Sequence, residues 1–411
     1  MKHRNLFALL LLALLAVGSF TSVFAQDTLE PVTITIWSQE DPLFEETLQS
    51  LFATWAETVA PGSTLELVHK DTETQRNDLL AAGLAGQGLP DIILGPNDPI
   101  GVYEDAGLVQ PLDELFDISL YPYNIGAAQV SGATFGVPLT AGNHLMLMYN
   151  KSLVATPPDT WDELYEIAAQ VEADNEGVQG FAYNLNEPFW FLPFVHGFGG
   201  SVFDEDGNFT MDTEAWVNAY QFVHDLKFVQ EVVPTECDYG CADGGFKEGT
   251  TAMILNGVWA LGDYLNVEAS PALGPDNLGL APWPALPNGE RPKPFTSGKF
   301  LSIPVTVEGA QLDAVVSLVT WLTTDVDAVQ TISIGTNNLP AIEAVTVDAE
   351  KDPILADAAA ILETGIGMPA DANLRCMWDA VRPNLEGVMA DSITAADAAA
   401  EAQFAAEDAC A

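Results

Sequence analysis

Five of the nine tryptophans in this chain stand where neither a helix stripe nor a strand face requires so large a ring. Trp37 ends a β-branched run, Trp190 and Trp283 sit among prolines, Trp259 follows the turn pair Asn256–Gly257, and Trp378 opens a helical stretch. The other four, Trp55, Trp161, Trp216 and Trp321, fall in helix-patterned stretches and are assigned to cores. A flat aromatic face matches the apolar C–H face of a pyranose, and aromatic contacts contribute ~0.5–1.5 kcal/mol beyond area burial. The rim of sugar hydroxyls needs acceptors instead, and ionised carboxylates make the stronger hydrogen bonds. "NLNEPFW" (184–190) sets Asn186 and Glu187 beside Phe189 and Trp190, and "MWDAVRP" (377–383) sets Trp378 beside Asp379. "GPNDP" (95–99) offers Asp98 at the carboxyl end of an apolar strand, where open α/β sheets bind ligands. A single loop acid is more often a turn former, so the set as a whole, rather than any member, points to a sugar-lined cleft.

Other chemistries find less support. The sequence has no G-x-S-x-G, no H-E-x-x-H and no phosphate-cradling glycine loop, and "SGK" at 297–299 lacks the glycine spacing that would precede it. His69, His144, His196 and His224 show no metal-ligand spacing, and "DEDGN" (204–208) reads as a hairpin turn because Ala215 holds the position of a distal calcium ligand. No catalytic residue, cofactor or metal site is therefore assigned. Two rival functions stay open at this level. An extracellular glycosidase needs two carboxylates across the scissile bond, and 59 acidic residues supply such pairs everywhere. A binder of a non-sugar solute such as a polyamine suits the acidity, but would want more acids and fewer amides in its cleft. The net charge of −46 repels nucleic acid and anionic lipid surfaces.

The elements that must position these groups alternate. "VTITIW", "TLELVHK", "DIILG", "LMLMYN", "GFAYNL", "AMILN" and "FLSIPV" read as strands, separated by amphipathic helical stretches such as the one carrying Phe44, Leu48, Leu51, Phe52 and Trp55. This predicts α/β layers with largely parallel sheets. "PPDTWDEL" predicts a helix starting after Thr160, with Glu163 completing a capping box. The proline-dense "LAPWPALPNGERPKPF" (280–295), "GTNNLPAI" (335–342) and "PLTAGN" (138–143) are candidate crossings between lobes.

At the start, "MKHRN", an apolar run from Leu6 to Val17 and "SVFA" have the layout of a secretory signal peptide cleaved after Ala25; retention as an anchor is the alternative. In an oxidising compartment Cys237, Cys241, Cys376 and Cys410 would form disulfides. One arrangement pairs Cys237 with Cys241 and Cys376 with Cys410 across two antiparallel helices. A four-cysteine zinc site is the other reading, and the usual close-set pairs are missing.

With these residues in view, the chain resembles the maltose/maltodextrin-binding branch of the solute-binding proteins of ABC importers. The resemblance is carried in order by "LPDIILGPNDPIGVYEDAGLVQPL", "LMLMYNKSLVATPPDTWDEL", "NLNEPFWFLP", "FKEGTTAMILNGVWA", "KPFTSGKFLSI" and "MPADANLRCMWDAVR". It implies a two-lobed α/β fold of the type II periplasmic-binding-protein class with three crossings. The expected lobes are 26–140 with 284–338, and 141–283 with 339–411, after a leader at 1–25. It also implies a monomer without enzymatic activity, held outside the cytoplasmic membrane, that delivers a neutral oligosaccharide to ABC permease subunits. Carried over by position, Trp259 and Trp378 would stack on sugar rings, Phe189 stands where the family has a tyrosine, and Glu187 and Asp98 match carboxylates that take hydroxyls. Asp41, Gln39, Asn143, Met368, Asp379 and Trp190 complete the expected ligand set. Gly95, Pro99 and Pro42 stand where the family pattern has a tryptophan, an arginine and a lysine, so maltose itself is not implied.

Overall fold

A computed structural model describes residues 29–121 and 125–410; the leader read from the sequence lies outside the described residues. Two sheets organise them. The larger has seven strands, running in the order Leu339–Pro340, Val137–Gly142, Phe295–Ser302, Ile92–Gly95, Thr33–Ser38 and Thr64–His69, with Ile366–Gly367 beside Phe295–Ser302. The smaller has four, in the order Leu278–Ala281, Leu145–Asn150, Thr251–Gly257 and Gln179–Ala182.

Local patterning explains the layers. In Thr33–Ser38 the alternate residues Ile34 and Ile36 are buried, and the following helix Pro42–Thr58 lays Phe44, Leu48, Leu51, Phe52 and Trp55 into the same core. Leu318, Val319 and Leu322 of the helix Gly309–Thr324 join them from much later in the chain. The second core is aromatic: Trp161, Phe181, Phe191, Phe194, Trp216 and Tyr220 pack with Val381 and Leu385. The predicted helix start at Thr160 is present, its Oγ accepting from the Glu163 N–H at 3.2 Å. The Glu163 carboxylate reaches back to the N–H of Asp159, not of Thr160 itself. "DEDGN" is a turn, with Asp204 accepting from the N–H groups of Asp206 and Asn208 between the bridged Phe203 and Phe209.

The expectation of largely parallel sheets is corrected. Thr33–Ser38 pairs in parallel with both neighbours, but Phe295–Ser302 runs antiparallel to Ile92–Gly95 and to Val137–Gly142. In the smaller sheet the single parallel pair is Gln179–Ala182 with Thr251–Gly257. The reason is topological: Phe295–Ser302 enters its sheet from the other half of the molecule, against the direction of the strands built by local strand–helix–strand turns.

The chain passes from the larger sheet to the smaller at 142–145 and back at 281–295. After Leu339–Pro340 it leaves the larger sheet again for the helix Pro353–Leu362, which packs on Leu278 and Leu280 of the smaller one, before Ile366–Gly367 returns. The first crossing is the tightest, with left-handed backbone at two successive residues, Gly142 (φ 122°) and Asn143 (φ 48°). A Cβ on Gly142 would also press on Val258 at 3.0 Å. Glycine tolerates that backbone without a steric penalty, and asparagine tolerates it better than most residues.

Both disulfides of the sequence arrangement are present, Cys237–Cys241 and Cys376–Cys410, with Cα separations of 5.2 and 6.1 Å, so no thiol is left for zinc. His144 and His196 are buried and bonded to the carbonyls of Ala358 and Lys293. Burial pushes both imidazoles down to about 4, below the usual histidine value near 6.5. Each therefore stays neutral in the folded protein while the unfolded chain takes up the proton. Their contribution to stability is present above pH ~6.5 and drains away toward pH ~4, at most ~1.4 kcal/mol per unit for each group. Urea unfolding over that window should show a shallower pH slope in His144→Gln than in the wild type, and identical slopes would refute the assignment.

Candidate ligand-binding cleft

Between the two sheets lies a cavity of about 970 Å³. All eleven residues expected to bind ligand line it, although they come from nine separated places in the sequence. Gln39, Asp41 and Asp98 arrive from the carboxyl ends of the first-sheet strands or the helix that follows. Glu187, Phe189, Trp190, Trp259, Trp378 and Asp379 come from the opposite half, and Asn143 and Met368 from segments that link the two.

One wall is aromatic. Phe189 lies 6.1 Å from Trp259 and 6.3 Å from Trp378, centroid to centroid, with both pairs tilted. Trp190 stands edge-on behind Trp259 at 5.8 Å, its indole N–H donating to the Leu255 carbonyl at 2.8 Å. Trp190 is only 7% exposed and serves chiefly as backing, whereas Trp259 is half-buried. Trp259 is the middle residue of a short 3-10 turn, Val258–Ala260, directly after the strand Thr251–Gly257. Gly257 permits this placement, because a Cβ there would lie 2.0 Å from the Trp259 ring.

The other walls are ionic. Arg76 contacts Asp98 at 3.0 Å and Glu73 at 2.9 Å. Arg382 grips Glu187 with two bonds, of 2.7 and 3.0 Å, and Arg375 pairs with Asp379 at 2.9 Å. Arg375 also meets Glu73 at 3.5 Å, joining the helix Leu374–Met389 in one half to the helix Thr72–Ala85 in the other. Lys299 and Glu40 form a buried pair in contact. Burial alone would draw the Lys299 ammonium down to about 7, and the touching carboxylate opposes that. Burial raises the Asp98 carboxyl, against the pull of Arg76. Burial likewise raises Asp41, opposed by the N–H groups it accepts from at the start of its helix and aided by nearby Asp263.

Paired guanidinium and carboxylate groups present fixed donors and acceptors side by side, which suits hydroxyls. Four of the chain's 13 basic residues face this one cavity, together with nine of its 59 acidic residues, so acceptors outnumber cations there. Among the described residues no group of three or more His, Cys, Asp or Glu is arranged to hold a metal ion.

The tryptophan sorting needs two corrections. Trp283 is a core residue, 1% exposed, packed edge-on to Phe194 and donating to the Leu145 carbonyl at 3.1 Å. Its flanking prolines shape a buried crossing, not a loop open to ligand. Trp37 lies outside the cavity with the Lys70 ammonium 4.2 Å above its ring, because it alternates away from Ile36 to the other face of the sheet. The sequence reading also missed Arg76, Glu73, Arg375, Arg382, Lys299, Glu40 and Tyr239, all of which line the cleft. The scarcity of cations was the available signal, above all Arg382 one helical turn beyond Trp378.

Residues 41–329 match the family described as bacterial extracellular solute-binding protein. The chain belongs to that family. Membership makes it a solute-binding protein and not a catalyst. A maltotriose-binding protein of Pyrococcus abyssi is 26% identical over 368 residues, covering 87% of this chain and 78% of that one. The maltose/maltodextrin-binding domain of Bdellovibrio bacteriovorus, solved bound to maltotriose, superposes with a TM-score of 0.83 at 30% identity, over 92% of this chain and 99% of the other. The Thermus thermophilus maltotriose-binding protein, also solved with maltotriose, gives 0.81 at 26% identity, over 92% and 100%. The solute-binding protein thus has the two-lobed α/β fold expected from its sequence, with its cavity between the lobes.

Proposed function

We propose that this solute-binding protein captures a maltodextrin or a closely related oligosaccharide outside the cytoplasmic membrane, as a monomer, and hands it to the permease subunits of an ABC importer. The observation that carries the reading is the composition of one cavity, in which Trp259, Trp378 and Phe189 form a wall of ring faces, with the arginine-paired Glu187 in the same half and the arginine-paired Asp98 in the other. Rings take the apolar faces of the sugar, and Glu187, Asp98 and their guanidinium partners take its hydroxyls. The cavity is of the size that encloses drug-sized ligands, which leaves room for more than one ring. Hinge closure around the ligand, as in periplasmic binding proteins generally, would then remove both from water. The names of the Pyrococcus, Bdellovibrio and Thermus relatives support the same ligand class.

Calorimetry against maltose, maltotriose, maltotetraose, cellobiose and a polyamine, with recovery of the sugar afterwards, tests the proposal. The expected result is saturable binding of an α-glucan, which is recovered intact. Binding of the polyamine alone, or a hydrolysed sugar, would overturn it.

A further inference from the structure

The Cys237–Cys241 crosslink closes a loop whose middle residue is Tyr239. Tyr239 is also the first residue of the helix Tyr239–Glu248, and it lines the cleft. Its hydroxyl accepts from the Trp259 indole N–H at 3.2 Å, the one hydrogen bond that the indole makes among the described residues. Its ring meets Trp190 edge-on at 6.0 Å, and Trp190 in turn stands at 79° to Trp259. Tyr239, Trp190 and Trp259 thus brace one another, and Trp259 presents the most accessible indole of the aromatic wall.

Trp190, Trp259 and Asn256 engage the Tyr239 side chain, but little besides the crosslink secures its backbone. The residue is 37% exposed, so its own burial does not fix it. The first turn of a helix lacks intrahelical partners for its N–H groups, and here Asp238 caps that of Cys241 alone at 2.9 Å. The helix sequence, "YGCADGGFKE", carries three glycines, which disfavour helix. Bridging buried Cys237 to exposed Cys241 supplies the rigidity that propensity and packing do not.

We infer that the Cys237–Cys241 disulfide belongs to the ligand-binding apparatus: it holds the Tyr239 hydroxyl on the Trp259 indole and so sets the orientation of the ring face offered to ligand. Tyr239 is a positioning residue, and the crosslink tunes affinity as well as local stability. The affinity arm of the test rests on the proposed maltodextrin ligand; the spectroscopic arm does not.

Calorimetry with maltotriose and the Trp259 indole N–H resonance, assigned by its loss in Trp259→Phe, are measured on four proteins. These are the wild type, Tyr239→Phe, Cys237→Ser/Cys241→Ser and Thr160→Ala. Tyr239→Phe and the double serine variant should each shift the resonance and weaken binding roughly five- to tenfold, the size of one hydrogen bond's net contribution. Thr160→Ala removes a helix cap that lines no part of the cleft, and should lower the unfolding midpoint with neither effect. An unmoved resonance in both variants overturns the inference whatever the sugar does. A moved resonance with unchanged affinity, in a wild type that binds, overturns the tuning. A wild type that binds no maltotriose counts against the proposed function instead, and the resonance alone then decides the positioning claim.

Discussion

Trp259→Ala should weaken binding of the proposed maltodextrin ligand by ~1–3 kcal/mol, the range of an aromatic anchor at the centre of an interface. The size follows from its setting. Trp259 presents a half-buried indole to the cavity, and Trp190 and Tyr239 fix that indole from behind, so little ordering entropy is lost when a ring settles on it. Truncation removes the face and also leaves the Tyr239 hydroxyl without its donor. Trp37→Phe is the matched control, since Trp37 lies under Lys70 outside the cavity. Fluorescence titration of the two variants gives the comparison. Equal dissociation constants for wild type and Trp259→Ala would remove Trp259 from the site.

Lys299→Met should destabilise the fold by ~3–5 kcal/mol, because it strands a carboxylate that the fold has taken out of water. Glu40 is 6% exposed, and Lys299 is its only ionic partner among the described residues. The double variant Lys299→Met/Glu40→Gln should recover most of the loss, since the stranded charge is then gone. Urea denaturation of the two variants distinguishes this from a packing defect. A double variant no more stable than Lys299→Met would show that the Lys299 ammonium over the Phe44 ring, rather than its pairing with Glu40, was the part that mattered.

How legible the site was in the sequence depended on where each residue's reason for being there lay. The rings and acids could be found because each breaks a local rule: Trp259 after a turn glycine, Glu187 and Phe189 around a proline, Asp98 at the end of an apolar strand. All of them face the cavity. Their cationic partners break no such rule. Arg76 and Glu73 lie on an ordinary-looking helix whose end happens to meet the cleft, and Lys299 on a strand that enters its sheet from the other half of the molecule. Nothing nearby in the chain announces contacts made 22 residues away, as for Arg76 with Asp98, or 195 away, as for Arg382 with Glu187. Trp283 shows the converse error, since prolines flank buried crossings as readily as open loops. The alternation of strands and helices gave the layers, while the antiparallel pairings followed from the crossings, which local periodicity cannot orient.

The contact from Arg375 to Glu73 bears on what drives the jaws together. Both groups are partly in water, with exposures of 33% and 57%, so the bond contributes about 0–1 kcal/mol. Under the proposed hinge motion, opening would leave Arg375 with Asp379 on its own helix and Glu73 with Arg76, so neither charge would be orphaned. Such a catch is too feeble to bolt an empty mouth shut, so in the proposed mechanism the decision to close would fall to the cargo.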